Sequence, residues 1–102
     1  MSEEEIDRMF PNKNFHIAID IEEIDDIITD KKSIIVKNEY NCYCYDGNMR
    51  PTDYFYITGD VITNKVILNK LVEDNLCLEC NHIFVEGFSK INDCMFEIMV
   101  GS

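Results

Sequence analysis

The chain has no tryptophan, two histidines, two prolines and four glycines in 102 residues. The scattered glycines build no phosphate-binding loop, and neither a GxSxG elbow nor an HExxH zinc helix occurs. With so few histidines, acid–base chemistry would rest on carboxylates, and none of these form a distinctive pair. No apolar run approaches the roughly 20 residues that span a bilayer. The opening, Met1 to Phe10, is acidic and has no basic stretch followed by an apolar block, so it does not read as a signal peptide. Positive charge is scarce too: nine Lys and Arg stand against twenty Asp and Glu, a formal charge of −11. Such a chain repels phosphate backbones and anionic lipid surfaces. The absences together argue against an enzyme, a direct nucleic-acid binder and a membrane protein. They lead to the expectation of a cytoplasmic or nuclear protein.

What is present fits one small domain over residues 1–102, with 1–12 as a flexible or docked N-terminal segment. A chain of this length buries roughly two thirds of its unfolded surface, enough to fold without staples. Six Phe and five Tyr supply core material. Charge is uneven. Residues 1–30 carry ten acids against Arg8 and Lys13, a balance of −8.

The strongest local signal is a helix. Val66, Ile67, Leu68, Leu71, Val72 and Leu76 recur at spacings of three and four, with Lys65, Asn69, Lys70, Glu73 and Asp74 opposite. Thr63 is its expected N-cap, with Asp60 the competing start, and Asn75 its exit residue. Before it, Ser2 to Phe10 reads as a short acidic helix with capping-box spacing between Ser2 and Glu5, ended by Pro11. Phe15 to Ile21 alternates like a half-buried strand, with His16 on the solvated side. Ile21, Ile24, Ile27 and Ile28 fit one face of a short acidic helix. Its carboxylates lack the glycine and ligand pattern of an EF-hand and read as a solvated face.

Ser33 to Tyr45 and Asp53 to Thr58 read as strands around an Asp-Gly turn at 46–48. His82 to Phe88 and Cys94 to Val100 read as a second strand pair, with Gly87 as a bulge and Ser89 to Asp93 as the turn. The expected fold is therefore α+β: a mostly antiparallel sheet from two hairpins, one main helix across it, and a short acidic helical preface.

One constellation has chemical potential. Cys77, Cys80 and His82 have the spacing of a zinc knuckle, with Cys42, Cys44 or Cys94 as a fourth ligand. Buried structural thiols are the competing and leading account, because cysteine packs as a small hydrophobe. A redox use is disfavoured because the Cys77–Cys80 pair follows the helix and so misses the dipole at its start. Five cysteines, an odd number, also argue against a complete disulfide framework.

The stretch Cys80 to Phe88, CNHIFVEGF, with the closing FEIMVGS, resembles a segment of small uncharacterised proteins of large DNA viruses of amoebae, of the mimivirus kind. The resemblance covers about the last quarter of the chain. It implies a viral protein of the host cytoplasm or virion and transfers no catalytic residue. The leading functional expectation is a non-catalytic interaction or structural module that self-associates as a homodimer, using aromatic strands and a free edge. The alternatives are a zinc-stabilised adaptor built on Cys77, Cys80 and His82, and an acidic decoy for basic surfaces of nucleic-acid-handling proteins.

Overall fold

A computed structural model describes residues 2–39, 52–76 and 84–101. The main helix, α2 (Asn64–Glu73), forms where its apolar spacing predicts. The Thr63 hydroxyl accepts from the Val66 N–H at 3.2 Å, closing the first turn. Asn75 leaves the helix with φ of 60°, the left-handed conformation that Asn tolerates. Ile67, Leu68, Leu71 and Leu76 are buried, and Asn69, Glu73 and Asp74 are exposed.

The N-terminal helix α1 (Ser2–Met9) docks rather than frays. Ile6 and Phe10 are buried in the core, while Met9 reaches solvent. A bond from Phe10 N–H to the Ile6 carbonyl and a Lys13–Asp7 ion pair hold the segment that follows. Strand β1 (His16–Ile17) comes next, and the alternation predicted for 15–21 holds: Phe15, Ile17 and Ile19 are buried and His16, Ala18 and Asp20 are exposed.

Residues 21–30 depart from the predicted acidic helix. They form a single 3-10 turn (Ile21–Glu23) and a short strand β2 (Ile27–Thr29), antiparallel to β5 (Ile62–Thr63). The reason is where the backbone bonds go. The Ile24 carbonyl accepts from Lys65 N–H at 2.9 Å and the Asp26 carbonyl from Asn64 N–H at 3.2 Å. These carbonyls satisfy the open start of α2 instead of a helix of their own. The buried Asn64 amide adds a bond to the Glu23 carbonyl at 2.8 Å, so the burial leaves no orphan donor.

The remaining strands are β3 (Ser33–Asn38), β4 (Asp53–Thr58), β6 (Phe84–Asn92) and β7 (Met95–Gly101). The two predicted strand pairs form: β3 with β4 and β6 with β7, both antiparallel. The expectation of a mostly antiparallel sheet is nevertheless overturned. The sheet is a curled, mixed five-stranded one in the order β1-β6-β7-β3-β4, with β3 parallel to β7 and β1 parallel to β6. The chain leaves β4 at one edge, passes through α2, and returns beyond β7 as β6. That path joins the hairpins through strands of like direction.

Two details of the second hairpin also differ. The stretch predicted as a turn continues β6 through Asn92, leaving the reversal to Asp93 and Cys94. The Asn92 side-chain carbonyl accepts from the Cys94 N–H at 2.9 Å and fixes that reversal. Gly87 stands at a register shift with φ of 156°, a conformation L-residues avoid, as expected of a bulge. One apolar cluster runs from Ile6 and Phe10 through Val36, Ile57, Leu68 and Leu71 to Phe96 and Ile98.

Candidate interaction surface

Cys42, Cys44, Cys77, Cys80 and His82, the residues singled out for metal binding, lie outside the described residues. Cys94 is described. It is an exposed free thiol in the β6–β7 reversal, and its carbonyl accepts from the Ile35 N–H at 2.8 Å. Among the described residues no group of three or more His, Cys, Asp or Glu is placed to hold a metal ion. His16 is exposed, with its ring 5.4 Å from that of Phe84.

The geometry instead draws attention to β4. It ends the sheet, so one of its sides has no strand neighbour among the described residues. The pattern of bonds says which groups it presents there. Ile35 N–H bonds to β7, so the N–H and C=O of Ser33, Ile35 and Lys37 face that strand. Those of Ile34, Val36 and Asn38 then face β4, and pair with Ile57, Phe55 and Asp53. The bond from Gly59 N–H to the Lys32 carbonyl, 3.0 Å, keeps this phase. Tyr54, Tyr56 and Thr58 therefore turn their backbone donors and acceptors outward, away from the sheet. None of these residues has another hydrogen bond among the described residues.

Edge strands of soluble proteins are commonly blunted with lysine, proline or a bulge. β4, with the sequence DYFYIT, has no Lys or Pro, and its register with β3 is continuous over all six residues. Beside it runs a groove of about 240 Å³ between Tyr56, Ile57 and Thr58 of β4 and Val66, Lys70 and Glu73 of α2.

The sheet face away from α2 is the second feature. Inward residues Phe55, Ile57, Val36, Phe96 and Ile98 are buried, so their alternates share the outer face. Register sets Tyr56, Ile35 and Met95 in one row and Tyr54, Lys37 and Glu97 in the next. Tyr56 is 67% and Tyr54 53% exposed. Met99 is 48% exposed, since the residue opposite it is Gly87, which has no side chain to cover it. Lys37 lies at the centre of this face. A hydrogen bond from its ammonium to Glu39, 3.1 Å, holds its pKa above the usual lysine value, helped by the nearby charge of Glu97.

Sequence alternation identified β4 and its aromatic side chains. It could not show that β4 is an edge or that α2 borders it, because both depend on strand order. No helix among the described residues is long and apolar enough to cross a membrane. Comparison with protein-family models, with curated proteins and with solved structures returns no match.

Proposed function

We propose that the protein is a non-catalytic interaction module that self-associates through the outer face of its sheet. The observation that carries this is the set of uncovered large side chains on that face, Tyr54 and Tyr56 of β4 and Met99 of β7, with Ile35 and Met95 beside them. Clustered apolar side chains of this kind mark contact surfaces, and two sheet faces pack stably at about 10 Å. Lys37 and Glu97 in the middle carry opposite charges, so a second copy meets no single-sign patch there. Sedimentation over a dilution series should show a monomer–dimer equilibrium. The double variant Tyr54→Ser/Met99→Ser should weaken it about tenfold or more, since each exposed side chain contributes roughly 1 kcal/mol on burial. A wild-type protein that stays monomeric at millimolar concentration would remove this reading.

One observation favours a zinc-stabilised adaptor as a second reading. Asn38 ends β3 and Asp53 begins β4 at the end of the sheet where Phe84 and Gly101 also lie. Cys42, Cys44, Cys77, Cys80 and His82 themselves lie outside the described residues, but Asn38, Asp53 and Phe84, close in sequence to the segments that carry them, lie at one end of the sheet. Cys94 sits at the other end, about 20 Å away along β7 at roughly 3.3 Å per residue. On this reading Cys42 or Cys44 completes the ligand set. Native mass spectrometry should find one zinc per chain, retained in Cys94→Ser. A chelator should lower Tm by on the order of 10 °C. An unchanged Tm with a metal-free mass excludes the adaptor.

A further inference from the structure

We infer that the open edge of β4 and the groove beside α2 receive an extended basic segment of a partner protein, which adds to the sheet as another strand. This goes beyond self-association and uses a different surface. Three observations carry it.

The first is the edge itself. Tyr54, Tyr56 and Thr58 offer outward N–H and C=O groups at every second residue, the repeat an incoming strand requires. The second is the groove. A strand laid along β4 sends alternate side chains toward α2, where Ile57 and Val66 supply an apolar wall and about 240 Å³ of space. An edge strand bordered by a helix gives the added strand both backbone bonds and a side-chain pocket.

The third is charge, which selects the occupant. Lys70, the cation of the groove, is paired with Asp74 at 3.5 Å. Glu73 on the groove wall, Asp53 at the start of β4 and Asp60 just beyond its end have no ion pair among the described residues. The chain as a whole carries −11. A segment that alternates basic and small apolar residues therefore meets acidic groups along its length and an apolar wall. A second copy of β4 fits less well. Antiparallel pairing about Tyr56 would set Asp53 opposite Gly59 of the other copy, one residue from its Asp60, and by symmetry would bring these like charges near each other twice.

The test uses the whole chain, 15N-labelled, and a short peptide alternating lysine and valine, with a glutamate–valine peptide as control. The amide signals of Tyr54, Tyr56 and Thr58 should shift with the basic peptide and not with the acidic one. Raising NaCl from about 50 to 300 mM should weaken binding several-fold, because exposed charges are screened. Glu73→Lys should weaken it about fivefold.

Tyr56→Pro is the decisive variant. It removes an outward N–H and leaves the bonds to β3 in place, a position where edge strands accept proline. Its binding should fall at least tenfold, whereas Tyr56→Thr, which keeps the N–H, should bind within about threefold of wild type. Equal binding by Tyr56→Pro and wild type, with the native fold of both verified by their spectra, overturns the inference. So does a peptide-free dimer that Tyr56→Pro abolishes and Tyr56→Thr, which loses the same ring but keeps the N–H, retains, because the occupant of the edge would then be a second copy. Shifts confined to residues remote from β4 and α2 overturn it as well. A monomeric wild type that binds the basic peptide supports it even as self-association fails.

Discussion

Leu68→Ala should lower the stability of the protein by about 2–5 kcal/mol, the range for emptying a buried leucine site. Leu68 has no exposed surface and lies on the face of α2 that meets the core. Its neighbours Ile67 and Leu71 are equally inaccessible, and the sheet below supplies Ile57 and Val36. A cavity there is enclosed on several sides, and solvent cannot fill an apolar void of that size. Domains of this length are held by roughly 5–15 kcal/mol in total. The loss should therefore appear as a fall in Tm of on the order of 10 °C or more. Urea unfolding followed by circular dichroism gives the number directly. The exposed neighbour Asn69→Ala should change stability by less than about 0.5 kcal/mol. Similar small effects at both positions would mean that α2 does not pack as described.

Phe10→Ala carries the second large effect, about 3–5 kcal/mol. The side chain is 2% exposed and belongs to the same cluster as Phe15, Ile24 and Leu71. Its removal would undo the docking of α1, whose other buried anchor is Ile6. Met9 is the internal control: it lies on the same short helix but is 37% exposed, so Met9→Ala should be nearly neutral. Equal and small losses for the two substitutions would show a helix that rests on solvent. A surface ion pair such as Arg8 with Glu4, 4.0 Å apart and both well exposed, contributes little to this docking.

These two sites differ in how far the amino-acid sequence anticipates them. Leu68 sits in an apolar stripe of period 3.6 that announces a buried helix face. Phe10 follows an equally helical stretch, yet spacing alone cannot rank docking above fraying. An amphipathic helix of eight residues, about two turns, has too little local stability to decide the matter. The neighbouring turn at Ile21–Glu23, against which α1 rests, decides it. The stretch 21–30 shows the opposite failure. Ile21, Ile24, Ile27 and Ile28 satisfy a helical pattern, but Ile24 is buried and Ile27 is 66% exposed. Its carbonyls serve α2, more than thirty residues away, and no local pattern encodes that demand.

Local physics by itself determined the Thr63 cap, the α2 stripe, the exit at Asn75, the span of β4 and the bulge at Gly87. Each depends on side-chain periodicity or backbone freedom within a few residues. Only the tertiary structure decided that β3 runs parallel to β7, that β1 joins β6, and that β4 is left as the open edge beside α2. The physical reason is degeneracy. Alternating burial is the same whether a strand's neighbour is parallel or antiparallel, central or absent. The path of the chain through α2 breaks that degeneracy, and with it determines that β4 stands at the edge of the described sheet.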